Sequence, residues 1–236
     1  MLNKEFEHIL ARSSEHGWVL EPDAKRLLKL CGLKVPKFIC TQSMDDAFDF
    51  AHETGYPLVA KVVSPEVIHK SDIGGVALGI NDDRTLAETF QRFSSIKGFQ
   101  GMLVEKSMTG FELIVGAKID YQFGPVILLG IGGTGVEIYR DTVLRMAPLR
   151  PEDATSMIKG LKAYELLEGY RGAEPINIDK LTHMLLTFSG LVMQLESYIE
   201  SIDLNPVMCT ADECVVVDAR IILKGYHSLE SVTAPQ

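Results

Sequence analysis

Asp203 and Asn205 stand two residues apart in ESIDLNPVM, and Asp218 interrupts the apolar run CVVVDARIIL. In a β-strand, residues two apart leave the same face, so the pair projects together while Ile202 and Leu204 enter a core. Alternation sets Asp218 with Val216 and Arg220, opposite Val215, Val217 and Ala219, and a hairpin around TADE turns it toward the pair. Two carboxylates and an amide are hard oxygen donors of the kind Mg2+ accepts, the ion keeping waters and borrowing phosphate oxygens to fill its octahedron. A solvated polar face on an edge hairpin fits the same spacing.

Two further features ask for an anion. Lys61 sits among aliphatics in LVAKVV, and stripping water from an unpaired ammonium costs several kcal/mol. Its partner is a carboxylate such as Glu105 or Glu112, or a nucleotide phosphate. GIGGTGVE, residues 130–137, follows an apolar strand, and its glycines, Gly132 and Gly133 among them, let the backbone turn tightly and expose N–H groups as an anion nest. It lacks the ending of a Walker loop, and a glycine-rich hairpin turn explains it as well. The stretch SPEVIHKSDIGGV, residues 64–76, crowds His69, Lys70, Asp72, Gly74 and Gly75 between two strand-like runs. Spacing alone makes His69 ordinary surface, although a neutral imidazole is a competent nucleophile near neutral pH.

The elements that must position these groups are legible from pattern. Residues 3–16 and 22–31 have helical spacing, the second with Pro22 in its first turn and Gly32 beyond its end. VPKFICT reads as a strand, Ser43 with Asp46 as the start of a helix stopping at Gly55, and YPLVAKVV as a buried strand. VALGI, a helix over 82–96 and GMLVEKS follow. FELIVGAKID, GPVILLGIG and TVLRMAP then form three strands, most economically antiparallel. Helices over 151–168 and 177–198 precede the last two strands. Met184, Leu185, Phe188, Leu191, Val192 and Leu195 recur at helical spacing as a core stripe. Strand clusters set apart from helix pairs predict an α+β fold of two lobes with a cleft between them.

Composition bounds the partners. The chain has 236 residues, 46% of them hydrophobic, and a net charge of -9 without a basic stretch, which argues against nucleic acid but leaves room for a nucleotide in a local pocket. Cys31, Cys40, Cys209 and Cys214 lack paired CxxC spacing, and MLNKEFEHIL has no apolar signal core, so the expectation is reduced thiols in a cytoplasm. The apolar run PVILLGI is far shorter than the roughly 20 residues a bilayer requires, so no membrane partner is expected. His8, His16, His52, His183 and His227 fall in helical or terminal patterns and read as surface or interface residues.

In order along the chain, Lys61, HKSDIGGV, LVEK, GFELIVG, GPVILLGIGGTGVEIYRD, LRMAPL, LLEGYRG and IDLNPV resemble the ATP-grasp subunit of nucleoside-diphosphate-forming acyl-CoA synthetases, the resemblance covering about residues 15–225. The ATP-grasp half of succinyl-CoA synthetase is similar at a greater distance. The resemblance implies an ATP-grasp fold with a smaller lobe over 21–103 carrying the histidine loop. The larger lobe would be 1–20 with 104–236, carrying the metal-binding strands. It implies that the lobes clasp ATP or ADP, that Asn205 and Asp218 hold Mg2+ with Asp203 in support, and that Lys61 meets the phosphates. Glu105 to Met108 would line adenine and Glu112 would meet ribose. Gly132 and Gly133 belong to the expected phosphate loop, where Thr134 and Gly135 depart from the bulkier apolar residues common in the family. Arg145 is expected beside the site, and Arg171 in a structural role.

The resemblance also gives the loop a task. The histidine matching His69 is a phosphoryl carrier that takes the group near the nucleotide and passes it to a histidine on a partner subunit. Gly74 and Gly75 would admit phosphate and let the loop move, Lys70 would offset charge, and Ser71 and Asp72 would orient the imidazole or cap a turn. The implied activity is acyl-CoA + ADP + Pi = acid + CoA + ATP. A length of 236 residues leaves no room for a CoA-binding or ligase domain. The expectation is therefore half an enzyme, inactive without a CoA-binding α subunit that bears a second phosphohistidine, in an α2β2 heterotetramer. Two other classes are compatible with the residues. An ATP-grasp carboxylate-amine ligase would need no histidine carrier, and a nucleotide-sensing module would not turn over, although intact metal donors argue against the latter.

Overall fold

Two antiparallel sheets, the larger of alternating strands and the smaller centred on strands buried on both faces, are each backed by their own hydrophobic core. The computed structural model describes residues 3–133 and 141–225. The elements run α1 (Lys4–Ser13), β1 (Trp18–Val19), α2 (Glu21–Leu30), β2 (Phe38–Thr41), α3 (Met44–Thr54), β3 (Leu58–Val63), β4 (Val76–Ile80), α4 (Asp83–Ser94) and β5 (Gly101–Lys106). They continue with β6 (Phe111–Asp120), β7 (Gly124–Ile131), β8 (Thr142–Met146), α5 (Pro151–Lys159), α6 (Tyr164–Leu167), α7 (Ile178–Leu195), β9 (Ile199–Cys209), β10 (Cys214–Val216) and β11 (Ala219–Leu223). A four-stranded sheet has the order β2-β5-β3-β4, and a seven-stranded sheet the order β1-β11-β9-β6-β7-β8 with β10 also on β9. Every pairing is antiparallel. The class is α+β, and no helix among the described residues is long and apolar enough to cross a membrane.

Local chemistry accounts for the boundaries. Ser43 caps α3 by accepting from the Asp46 N–H at 3.3 Å, and Asp82 caps α4 by accepting from Thr85 at 2.7 Å. Gly55 ends α3 at φ 75°, a left-handed value that glycine takes without a Cβ clash. In β6, Leu113, Val115 and Ala117 face the core while Gly116 and Lys118 face the other way. The α7 stripe of Met184, Leu185, Phe188, Leu191, Val192 and Leu195 is buried against that sheet.

Three expectations need correction. The lobe boundaries at 20/21 and 103/104 do not match the packing: Ala24, Leu27, Leu28 and Leu33 lie in the larger core, whereas β5 runs between β2 and β3 with Met102 and Val104 in the smaller one. The chain thus leaves the larger unit after Leu33 and returns after Lys106, because α2 buries its apolar face against β11's sheet. The expected strand 214–223 is two strands, and Val215 and Val216 are both buried, so simple alternation fails. At the break Val217 donates to the Pro206 carbonyl at 3.0 Å and Asn205 to the Asp218 carbonyl at 3.2 Å. Proline has no N–H to return, which interrupts the ladder there.

The helix expected over 151–168 is the third. It stops at Lys159 and restarts as α6, because the Asp141 carboxylate accepts the N–H groups of Lys162 and Ala163, both at 2.8 Å, and pins the intervening turn. Asp141→Asn replaces one acceptor oxygen by a donor in a buried position, so urea unfolding should show a stability loss of about 1–3 kcal/mol. An unchanged midpoint would mean that the turn does not depend on this carboxylate.

Candidate active site

Where the two sheets face each other, β9 and the β10–β11 break present Asp203, Asn205 and Asp218 to a cavity of about 280 Å³. The loop between β3 and β4 supplies the opposite wall with His69, Lys70 and Asp72. Ile202 and Leu204 are buried beneath, so β9 alternates as the D-x-N spacing requires. Asn205 is exposed, and Asp203 and Asp218 are half-buried. Arg220 lies opposite Asp203 in register, its Nη2 3.6 Å from Asp203 Oδ2. Burial pushes the Asp203 carboxyl above its ordinary pKa, Arg220 opposes this, and the charge of Asp218 adds to it. A divalent cation would relieve that repulsion. Among the described residues no three His, Cys, Asp or Glu side chains could hold a metal alone. A cation here would depend on the Asn205 amide and on phosphate oxygens, the coordination habit of Mg2+.

The histidine loop is shaped by its glycines. Gly74 has φ 65°, and Arg92 Nη1 donates to its carbonyl at 2.7 Å. Gly75 donates to the Lys70 carbonyl at 2.7 Å and packs so closely on β3 that a Cβ would meet Val62 Cγ1 at 2.6 Å. In this arrangement both glycines serve the loop's own fold. His69 is exposed at the cavity rim.

Beneath the loop lies a buried ionic cluster. Glu21, Lys25, Lys61 and Glu105 are 2%, 0%, 3% and 0% exposed. Lys61 Nζ donates to Glu21 Oε1 at 2.7 Å and to the Val217 carbonyl at 3.0 Å, and lies 3.1 Å from Glu105 Oε1 and 3.7 Å from Asp218 Oδ2. Lys25 lies 3.1 Å from Glu21 Oε1 and donates to Glu105 Oε2, while Lys70 donates to Glu21 Oε2. The Lys61–Glu105 approach is close but unaligned, so Glu105 Oε1 has no hydrogen bond of good geometry. Burial alone would raise the Glu21 pKa, but Lys61, Lys70 and Lys25 together outweigh it and hold the carboxyl well below its ordinary value. For Lys61 burial acts downward, and Glu21, Asp218 and Glu105 reverse it upward.

Other expected site residues fall elsewhere. The Glu105 side chain points into the ionic cluster and is committed there. Met108 is half-buried in the connection from β5 to β6. Gly132 donates to the Glu112 carbonyl at 2.7 Å, and a Cβ on it would meet that residue's backbone at 2.9 Å, so the double glycine lies against Glu112. Residues 134–140, including Thr134 and Gly135, lie outside the described residues, as does His227. Glu112 is not a partner of Lys61; Glu105 is. Arg145 is bound to the Leu144 carbonyl and to Ser156 at 2.8 and 2.9 Å and lines a separate, larger groove of about 670 Å³ over β6 to β8. That groove is mainly apolar and contains none of the loop or oxygen-donor side chains, so the smaller cavity is the candidate site. Arg171 stacks over Tyr170 at 5.1 Å.

Pattern reading missed Glu21, Lys25 and Trp18, and it set Arg220 on the Asp218 face without giving it a part in the site. Glu21 and Lys25 carried a signal: they share a helical face with Ala24 and Leu28, an unusual place for charge unless paired. Trp18, buried beside the cavity, is the chain's single tryptophan, and nothing in its spacing marks it.

Two facing sheets with oxygen donors in the cleft between them are the arrangement of an ATP-grasp protein, and residues 10–223 match the ATP-grasp domain family. The chain belongs to that family, within the branch of ADP-forming acetate–CoA ligase beta subunits. It is 39% identical over 225 residues to the beta subunit of ADP-forming acetate–CoA ligase I of Pyrococcus furiosus, which covers 92% of this chain and 97% of that one. ADP-forming acetate–CoA ligase I of Archaeoglobus fulgidus is 38% identical over 225 residues, 92% of this chain but 33% of its own. Among solved structures, Ca. Korarchaeum cryptofilum dinucleotide-forming acetyl-coenzyme A synthetase 1 with coenzyme A and Mg-AMPPCP superposes with a TM-score of 0.80 at 37% identity, over 92% of this chain and 99% of that one.

Glu21 supplies a test of the cluster. Glu21→Gln should cost about 3 kcal/mol or more at pH 7, because it leaves three buried or half-buried lysines short of one counter-charge. The folded pKa of Glu21 is depressed, so its contribution is complete above about 4.5 and is lost as pH falls below that toward the folded value. Urea unfolding of both proteins should therefore show a gap that narrows in acid; a gap constant with pH would remove the ionic assignment.

Proposed function

We propose that this chain is the nucleotide-binding subunit of an ADP-forming acyl-CoA ligase and that His69 carries the phosphoryl group. The observation that carries the reading is the shared cavity: a loop histidine stands across from Asp203, Asn205 and Asp218, where the terminal phosphate of a metal-bound nucleotide would lie. A neutral ring nitrogen of His69 attacks the terminal phosphorus of ATP; a P–N bond forms, the bond from phosphorus to the bridging oxygen breaks, and ADP leaves. The reverse step makes ATP. Lys70 sits next to the nucleophile and can offset charge on the transferred group, and Lys61 lies between the buried carboxylates and Asp218, at the edge of the phosphate region. Mg2+, held by Asn205 and Asp218 with Asp203 in support, would neutralise phosphate charge when bound. Glu112 with the double glycine, and the Glu105 to Met108 connection through its backbone and Met108, are the proposed contacts for ribose, phosphate and adenine.

The acyl and CoA chemistry belongs to a partner. The single-chain relative from A. fulgidus is about three times the length matched here, which supports further domains supplied by a separate α subunit; the proposed α subunit holds the CoA site and a second phosphohistidine, and the proposed assembly is a cytoplasmic heterotetramer. The Korarchaeum enzyme is described with its phosphohistidine segment pointing towards the nucleotide site, and also phosphorylated in a site I orientation. This supports a loop that travels between two positions rather than a group that diffuses.

With the partner supplied, His69→Ala should bind nucleotide normally yet lose exchange of phosphate between ATP and the partner's histidine. Labelled ATP should leave acid-labile, base-stable phosphate on the wild-type chain, and full acyl-CoA turnover by the variant would favour direct acyl-phosphate chemistry. Asn205→Ala and Asp218→Ala should each weaken Mg·ATP binding by roughly 10-fold or more in calorimetry. Unchanged affinity in both would remove the metal assignment.

A further inference from the structure

Cys209 closes β9 and Cys214 opens β10, with TADE between them, and the two are directly opposed in register. Thr210 N–H donates to the Glu213 carbonyl at 2.8 Å, which makes the pair nearest the turn the hydrogen-bonded one. Cys209 and Cys214 are the next pair, so they occupy a non-hydrogen-bonded position. The same parity holds two residues on, where Val216 N–H donates to the Lys34 carbonyl at 2.8 Å instead of across to Val207. In such a position the Cα atoms are about 4.5 Å apart and side chains approach most closely, inside the span a disulfide bridges. The sulfurs accordingly lie 2.7 Å apart in a pocket of the larger core, with the residues 1% and 6% exposed.

We propose that Cys209 and Cys214 form a reversible dithiol–disulfide site that exchanges with low-molecular-weight disulfides. One cysteine gives its proton to solvent and its thiolate attacks a sulfur of the small disulfide, whose own S–S bond breaks to release one thiolate. The second cysteine, deprotonated in turn, attacks the mixed disulfide, forms the Cys209–Cys214 bond and expels the second small thiolate. The chain loses two electrons and the small disulfide gains them. In the folded protein the close neighbour Cys214, with burial, raises the Cys209 pKa and keeps it a thiol. Exchange therefore passes through opening of the TADE hairpin. The bond would fasten a tip that is already tied to the segment joining the two units, through Glu213 to Lys34 Nζ at 2.7 Å and through Val216. It leaves the metal-donor end of β9 untouched.

The test refolds the full chain from urea in glutathione buffers of increasing oxidised fraction, alkylates remaining thiols under denaturing conditions, and maps peptides by mass. A linked peptide joining Cys209 to Cys214, with Cys31 and Cys40 still alkylated or carrying glutathione, is the expected product. It should raise Tm by about 5 °C and be reversed by dithiothreitol. Cys209→Ser and Cys214→Ser should each abolish the linked peptide. The same mapping on native protein held in sub-denaturing urea frees the result from refolding yield. Full alkylation of both residues at the most oxidising ratio, separate glutathione adducts on each, or links scrambled among all four cysteines would overturn the proposal.

Discussion

Four nearly inaccessible charges, Glu21, Lys25, Lys61 and Glu105, hold the two units of this protein in register. Desolvating each ion costs several kcal/mol, whereas one unit-charge contact near 2.7 Å yields about 6 kcal/mol at an effective dielectric of about 20. A single pair therefore barely offsets its own burial. The cluster is viable because each carboxylate meets more than one lysine, and because Asp218 and Lys70 extend it to the cavity. Replacing one member strands the others, so its value lies in completeness rather than in any one bond.

The geometry of that cluster explains how the site is assembled. Glu21 opens α2 in the larger unit, Lys61 lies on β3 and Glu105 on β5 of the smaller sheet, and Asp218 sits at the strand break of the seven-stranded one. Charge thus joins elements whose apolar cores are separate. The same Glu21 carboxylate holds Lys70, next to His69. The loop's present position consequently depends on a contact that an incoming phosphate, itself a strong partner for lysine, would compete with. The loop's internal fold, closed by Gly75 to Lys70 and by Arg92 to Gly74, can persist while that outer contact changes.

The strand break at Val217–Asp218 has a comparable importance. Had β10 and β11 been continuous, alternation would have sent Val216 and Asp218 to one face, and one of them would have been misplaced. Pro206 opposite the break removes a ladder donor, and the chain re-enters the sheet with Val216 in the core and Asp218 at the cavity. Backbone irregularity here aims a side chain, the usual use of such interruptions.

Much was legible in the sequence alone. Period-two and helical spacing identified nearly every strand and helix, the D-x-N pair and its buried neighbours, the α7 core stripe, and the histidine loop between two strands, because these are local properties of a chain whose apolar face must be covered. The family resemblance added the role proposed for His69, which no spacing could supply. What only tertiary structure decided were the relations between distant segments: that α2 packs with the larger core, that Glu105 and not Glu112 answers Lys61, that Glu21 joins three lysines, that Asp141 splits the expected helix, and that Arg145 lies off the cavity. Each depends on where side chains far apart in the chain converge after packing, and the pairing of a buried charge is a property of that convergence, not of its sequence neighbours.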